Sequence, residues 1–301
     1  RLGQEPAIDE GFRSWVLSGA YQPTAWNSNT VIALEVADAG KLVRHISFDF
    51  ERFALASMES FSVAYAEWKD YHLAGWPLLK LYYAAFFSAH SIMRSQGSGV
   101  VKLERPHTDY LNNIVSLLQL DAPSVCPGMY QYKTESSPTT GRLVVLLEPT
   151  PQDCGVHEGF WKLFCKFLMD GATKAVHIRA ANANEYLAGA DEICGAIRHG
   201  SSNSGIWFSM VRNEINYQHK YETWFPVRKR ALAIGALKSA QANRLSVLPT
   251  RDTKTKDPIG AFVNTSKYLA CLNTDLADFV AQRSNSGQSF GHKWKRIVAQ
   301  L

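Results

Sequence analysis

The sequence predicts an all-α protein, a helical bundle that carries one small β-hairpin. Residues 47–70 contain neither Gly nor Pro, and apolar side chains recur there at helical spacing. Residues 77–97 begin with a Pro suited to a first helical turn and end at Gly97. Residues 259–282 place Phe262, Leu269 and Leu276 along one side of a third long helix. These three stretches favour a bundle.

The remaining elements are shorter. Residues 1–48 are predicted to form an irregular N-terminal segment, because aromatic residues are interspersed there with Gly, Pro and Asn, and 30–36 is a candidate strand or helical turn. Residues 49–301 are predicted to form one helical domain. Its other helices are expected at 107–120, 158–175, 184–198 and from Ile206 toward Pro226. A hairpin is expected as an insertion at about 126–150, where apolar runs flank a Ser, Pro, Thr and Gly turn.

Composition narrows the class of protein. The chain has 301 residues, 46% of them hydrophobic, which is enough to fill a core, and its net charge of +5 permits nucleic acid as a partner. No apolar run approaches the roughly 20 residues that span a bilayer, and the start has no signal pattern. We therefore expect a cytoplasmic protein without a membrane partner. The five Cys are scattered, which argues against a disulfide framework and a zinc site.

One short stretch concentrates reactive side chains. It runs from Arg212 through Asn213 to His219 and Tyr221. If it is helical, the seven-residue step from Arg212 to His219 is close to two turns, so both side chains project from one face. A guanidinium and an imidazole together suit a reaction at a phosphate, since one holds negative charge while the other moves protons. The alternative is an amphipathic helix with a surface Arg and a core or capping His.

Positive charge follows this stretch directly. Residues 220–257 hold nine basic residues against three acidic ones, an excess of six that is larger than the net charge of the whole chain. The basic candidates for RNA contact nearest to the Arg and His are Lys220, Arg228, Lys229 and Arg230. The alternative is a solvated segment without a partner.

Two other histidines are candidate site residues. His90 lies inside the 77–97 helix, where a packing role is favoured over a catalytic one. His157 and Glu158 resemble two ligands of a metal, but nothing near them in sequence completes a set. We predict no metal site and no cofactor.

Two stretches together resemble the HEPN domain family. Residues 81–94, with a paired Tyr, small residues and aromatics, look like the second-helix signature of that family. The Arg212-Asn213 pair, followed by a short spacer, His219 and Tyr221, resembles its catalytic pattern. The resemblance covers about 49–97 and 183–283, in the expected order along the chain.

The resemblance implies an all-α bundle that forms a homodimer, in which Arg and His from two protomers build one composite active site. It also implies a metal-independent endoribonuclease that cleaves RNA through the 2′-hydroxyl, commonly a toxin or an effector of anti-phage defence. In that scheme His219 is the acid and base, Arg212 holds the charge on the phosphoryl oxygens and Asn213 orients the phosphate or His219. Tyr221 matches a position that partner enzymes modify in one branch, so an antitoxin or defence partner is implied.

A second function stays open at this stage. Some members of the family have lost activity, so the chain could instead be a catalytically inactive HEPN-like module that holds a nucleotide or a partner protein. RNA cleavage in EDTA that depends on Arg212 and His219 would distinguish the enzyme from the module.

Overall fold

The computed structural model describes residues 10–24, 30–71, 73–151, 155–198, 206–224 and 248–283. These residues form two compact units. The first contains residues 10–53, 90–151 and 277–283 of the described chain, and the second contains 54–89 and the described residues between 155 and 276. Helices α2 (Ala39–Tyr71) and α3 (Gly75–Ser95) contribute residues to both units.

The first unit is built on a five-stranded antiparallel sheet with the strand order β1-β2-β5-β4-β3. Leu34 of β2 is opposite Val145 of β5, and Tyr132 of β4 is opposite Leu147 of β5. The register therefore places buried apolar residues side by side across the middle of the sheet. The strands are β1 (Tyr21–Thr24), β2 (Ile32–Val36), β3 (Ser98–Leu103), β4 (Gly128–Ser136) and β5 (Leu143–Pro149).

Helices cover one face of this sheet. Helix α1 (Phe12–Leu17), the first part of α2 and α4 (Arg105–Leu117) contribute apolar side chains to a shared core. Phe12 stacks on Tyr132 with ring centroids 3.9 Å apart. The other large members of this core include Trp15, Leu42, Ile46, Leu111, Tyr130 and Leu147.

The prediction of an all-α fold is therefore wrong, and the protein is a helix-rich α/β protein. The two strands of the expected hairpin do pair, but they lie in the middle of the sheet instead of forming an insertion on a bundle. Two further strands, β1 and β2, come from the segment that was expected to be irregular. Strand β2 overlaps residues 30–36, which were a candidate strand or helical turn, whereas β1 and β3 were not predicted because they have only four and six residues.

Gly97 connects α3 to β3. Its φ of +69° lies in the left-handed region, and its N–H donates to the carbonyl oxygen of Arg94. A Cβ at this position would lie 2.2 Å from Oγ1 of Thr134 in the adjacent strand β4. Gly97 thus ends the helix and lets the chain enter the sheet in one step.

The second unit is helical. Tyr82 of α3 lies at its centre and contacts the rings of Trp161, Phe208 and Phe262, with centroid distances from 5.3 to 6.2 Å. Its own elements are α5 (Val156–His177), α6 (Ala183–Ile197), α7 (Trp207–Gln218), a 3-10 turn (Lys220–Glu222), α8 (Arg251–Lys256) and most of α9 (Pro258–Arg283). Within the described ranges, none of the helices combines the length and the apolar character needed to cross a membrane.

Candidate functional site

Helix α7 positions the predicted site. Its buried face carries Trp207, Phe208, Val211 and Ile215, which recur at helical spacing and pack into the second unit. Arg212 lies beside this face, so its side chain is drawn inward and only 9% of the residue is exposed. The helix ends at Gln218, well before Pro226.

The guanidinium of Arg212 is fixed by neutral groups. Nη1 donates a 2.8 Å hydrogen bond to Oδ1 of Asn213, and Nη2 donates a 2.9 Å hydrogen bond to the hydroxyl oxygen of Tyr83 in α3. The guanidinium carbon also lies 5.4 Å from the ring centroid of Tyr217 and 5.9 Å from that of Tyr82. Three aromatic rings and one amide thus hold the charge in place.

No carboxylate neutralises this guanidinium in the described part of the chain. Glu214, the carboxylate nearest in sequence, forms its ion pair with Lys220 at 2.5 Å. Burial disfavours the charged form of Arg212, but the phenols of Tyr83 and Tyr217 outweigh burial and raise its pKa above the ordinary value. Its Nε is buried and has no hydrogen-bond partner. Among the described residues Arg212 is therefore a buried cation without a counter-charge, which is costly unless an anion binds.

The imidazole of His157 also packs near Tyr82 and Tyr83, the tyrosines that contact Arg212. The sequence pattern did not predict this proximity. His157, in the first turn of α5, has its ring centroid 5.6 Å from that of Tyr82 and 6.1 Å from that of Tyr83. Its Nδ1 is 3.1 Å from the hydroxyl oxygen of Tyr82. Burial, and then the positive charge of Arg212, lower the pKa of His157. His157 and Arg212 are 55 residues apart in the sequence, so the spacing of residues could not predict that they lie near the same tyrosines.

His219 follows the last residue of α7 and faces a different neighbour. Its φ of 51° is left-handed, and the residue is exposed. Its ring centroid lies 6.0 Å from that of Trp224, whose Nε1 donates to the carbonyl oxygen of Ile215. Within one chain, these contacts do not bring His219 and Arg212 together.

The side chains of Lys220 and Tyr221, which follow His219, both bind the carboxylate of Glu214. The hydroxyl of Tyr221 donates a hydrogen bond to Glu214, and Lys220 forms the ion pair already described. Burial, together with Glu214, raises the pKa of Tyr221. Tyr221 and Glu222 share the left-handed backbone of His219, with φ of 66° and 51°. Modification of Tyr221 would therefore have to displace Glu214 first.

The structure describes only part of the basic region that was predicted to contact RNA. Lys220 is half exposed, whereas Arg228, Lys229 and Arg230 lie outside the described residues. Lys254, another member of the basic region, is buried and donates to the carbonyl oxygens of Gly195 and Arg198 at the end of α6. Burial lowers its pKa to about 8. The ammonium group of Lys254 thus satisfies carbonyl oxygens at the C-terminal end of α6 and is not available to bind a nucleic acid.

Charged side chains also line a cavity of about 320 Å³ in the first unit. Asp49 accepts hydrogen bonds from the backbone N–H of Phe12 at 3.0 Å and from Arg52 at 2.8 Å. Its Oδ2 also lies 3.8 Å from Nε of the buried Arg94. Arg94 is therefore compensated by a buried carboxylate, unlike Arg212. In the described chain, no cluster of three or more His, Cys, Asp or Glu could hold a metal ion.

Arg212, Asn213, His219 and Tyr221 are recognisable as candidate site residues in the sequence, whereas the roles of Tyr82, Tyr83 and His157 become visible only in the structure. The paired Tyr was visible in the α3 signature, but its partner in α7 was not. Comparison of the chain with protein-family models, with curated proteins and with solved structures finds no match.

Proposed function

We propose that the chain is a metal-independent endoribonuclease in which Arg212 holds the scissile phosphate. The observation that carries this proposal is the buried guanidinium, which is held by Tyr83 and Asn213 and has no carboxylate partner in the ranges that the structure describes. A group fixed in advance needs little reorganisation when charge develops on the phosphoryl oxygens. Perturbed, uncompensated charges of this kind are concentrated at functional sites.

The reaction follows from these groups. The ribose 2′-hydroxyl attacks the adjacent phosphorus, the P–O5′ bond breaks, and the products are a 2′,3′-cyclic phosphate and a 5′-hydroxyl. The His219 imidazole accepts the 2′-hydroxyl proton, and the imidazolium formed in this way donates that proton to the leaving O5′. Arg212 stabilises the additional negative charge on the non-bridging oxygens. Since DNA has no 2′-hydroxyl, it is not a substrate.

A homodimer completes the site in this proposal. His219 is exposed and its ring packs near Trp224, so in this proposal the His219 that serves each Arg212 comes from a second copy of the chain. The composite cleft then joins an Arg212 of one protomer to a His219 of its partner. The biological role that accompanies such an enzyme is that of a toxin or anti-phage effector, restrained by a partner protein.

A binding module without catalysis is the second candidate. The observation that favours it is that the ring of His219 packs near Trp224, whereas the guanidinium of Arg212 packs among the rings of Tyr82 and Tyr217. In that case Arg212 would bind the phosphate of a nucleotide and His219 would have no chemical role.

RNA cleavage in EDTA tests the enzyme against the module. The substrate is a DNA oligonucleotide with a single ribonucleotide, and the products are examined for a 2′,3′-cyclic phosphate end. We expect cleavage by the wild type and at least a 100-fold lower rate in Arg212→Ala and His219→Ala. Arg105→Ala and His177→Ala, at exposed positions, are matched controls that keep full activity.

Two results contradict the enzyme. One is the absence of cleavage by the wild type on any RNA, with nucleotide binding retained, which favours the module. The other is cleavage that persists undiminished in Arg212→Ala, since that activity would come from a contaminating nuclease. All variants are therefore purified in parallel and checked for native circular dichroism.

A further inference from the structure

The hydrogen bonds of Tyr82 determine which nitrogen of His157 carries a proton. The Tyr82 hydroxyl oxygen accepts a 2.9 Å hydrogen bond from Nε1 of Trp161, and it lies 3.1 Å from Nδ1 of His157. An indole nitrogen only donates, so the Tyr82 oxygen is the acceptor in the first contact. Tyr82 is fully buried, and the described residues offer its single proton no acceptor other than Nδ1 of His157, so a donated Tyr82 hydroxyl leaves no buried proton without a partner. We therefore assign the Tyr82 hydroxyl as the donor and His157 Nδ1 as the acceptor.

The tautomer of His157 follows. Burial raises the pKa of Tyr82, so its hydroxyl keeps the proton that it donates. Nδ1 of His157 is then unprotonated, and the neutral ring carries its proton on Nε2. Burial and the charge of Arg212 lower the pKa of His157, so the neutral form predominates at neutral pH.

The Nε2–H group of His157 forms no hydrogen bond with any of the residues that the structure describes. The structure gives it no hydrogen bond within the described chain, and it is not among the enclosed polar atoms that lack a partner. Because His157 is half-buried, this N–H is reached by solvent. His157 thus offers a neutral donor next to Tyr82 and Tyr83, the two tyrosines that also contact Arg212.

We propose that His157 and Arg212 form one anion site, in which Arg212 supplies the charge and the Nε2–H of His157 donates to an oxygen of a phosphate ester. The identity of the ligand as a phosphodiester of RNA rests on the proposed function. His157 acts here as a fixed hydrogen-bond donor and gives up no proton, so no acid or base step is assigned to it. A neutral imidazole suits this role because it stays a donor without adding a second buried charge beside Arg212.

The contacts of α3 explain why the donor is fixed. Tyr82 is enclosed by Trp161, Phe208 and Phe262, so its hydroxyl cannot turn toward solvent and release Nδ1. Tyr83, the next residue, anchors the guanidinium. Consecutive residues of one helix thus orient the two donors of the site.

Nitrogen NMR of histidine-labelled protein tests the tautomer and the site together, with inorganic phosphate and adenosine 3′-monophosphate as the two probes. We expect the His157 ring to be the Nε2–H tautomer at pH 7 and its Nε2 signal to shift on titration with either probe. Arg212→Ala should abolish that shift. His157→Ala should weaken binding about tenfold, the effect of one hydrogen bond to a charged group.

Conservative variants separate a direct contact from a structural role. His157→Gln places an amide N–H close to the position of Nε2, so it should recover most of the affinity that His157→Ala loses. Tyr82→Phe keeps the ring and removes the hydroxyl, so the His157 signals should show a mixture of tautomers. His177→Ala, at the exposed end of α5, is the matched control and should bind as the wild type does.

The outcomes also separate this inference from the proposed function. An Nδ1–H tautomer, or unchanged phosphate affinity in a folded His157→Ala variant, overturns the inference even if RNA is cleaved. A wild type that binds phosphate at His157 but cleaves no RNA leaves the anion site in place and removes the nuclease.

Discussion

Nη2 of Arg212 donates a 2.9 Å hydrogen bond to the hydroxyl oxygen of Tyr83, a residue 129 positions earlier in the chain. Tyr83→Phe should therefore lower the cleavage rate about tenfold, because it keeps the ring but releases one end of the guanidinium. The free energy of unfolding should fall by only about 1 kcal/mol.

Steady-state kinetics and urea unfolding check the prediction for Tyr83. Tyr186→Phe, which removes an exposed hydroxyl in α6, is the control and should change neither quantity. An unaltered rate in Tyr83→Phe would mean that Asn213 alone is sufficient to hold Arg212.

His219→Gly should raise stability and abolish cleavage. The left-handed backbone at His219 is unfavourable for any residue with a Cβ, so glycine should stabilise the fold by roughly 0.5–1 kcal/mol. The imidazole is lost at the same time. Arg179→Gly is a matched control, since Arg179 has the same φ of 51° at another helix end and should gain stability with full activity. Thermal unfolding and RNA cleavage are measured on both variants, and an active His219→Gly enzyme would remove His219 from the mechanism.

Mixing two inactive variants tests the composite site. In a mixed dimer of Arg212→Ala and His219→Ala protomers, one cleft loses both groups and the other keeps both. When the two variants are refolded together in equal amounts, half of the dimers are mixed, so about a quarter of the wild-type activity should return. The control is the same mixture combined after folding under conditions that prevent subunit exchange. If no activity returns on refolding together, each protomer works alone.

The depressed pKa of His157 makes stability dependent on pH. Between its ordinary value of 6.5 and its lower value in the fold, the unfolded chain binds a proton that the folded chain does not. The free energy of unfolding should therefore decrease as the pH falls below about 6.5. The charged and titratable groups near the ring are Arg212, Tyr82 and Tyr83, while the neighbouring Glu158 is paired with Lys162.

Urea unfolding between pH 5 and 8 measures this dependence, and His157→Gln should flatten it. Arg212→Ala should reduce it as well, because the guanidinium is one of the two causes of the lowered pKa. A His157→Gln variant that follows the wild-type curve throughout would show that other groups dominate the acid response.

Asp49→Ala should be among the most destabilising substitutions in the first unit. It leaves the buried Arg94 without its carboxylate and the N–H of Phe12 without an acceptor, a loss of about 3–5 kcal/mol. Arg52→Ala removes the exposed partner of the same carboxylate and should cost less than about 1 kcal/mol. Chemical unfolding compares the two variants, and equal losses would argue against a special role for the buried pair.

The long helices of the fold were predictable from the sequence, whereas the short strands of the sheet were harder to predict. The long helices were visible because apolar residues recur over many turns, and α2 in fact extends from Ala39 to Tyr71, beyond the predicted 47–70. Strand β1 contains Pro23, and β3 starts at Ser98 and Gly99 and is buried almost throughout instead of alternating, so neither has a clear strand pattern.

The site was predictable only where it depends on neighbouring residues. Arg212 and Asn213 are adjacent, and their hydrogen bond lies within one turn. His219 was predicted to share a helix face with Arg212, which requires a continuous helix through both residues. Helix α7 instead ends at Gln218, and the backbone of His219 has a positive φ. Tyr83 and His157 approach Arg212 only through the fold, and no local pattern encodes that approach.

The strand order has a practical consequence for shortened versions of the protein. Strand β5 has two neighbouring strands, and one of them, β2, lies within the first 36 residues. A fragment that begins at residue 49 would expose the unpaired N–H and C=O groups of β5 next to Val144, Val145 and Leu147. Such an edge recruits further strands, so the fragment should aggregate on expression even though it retains every residue of the proposed active site.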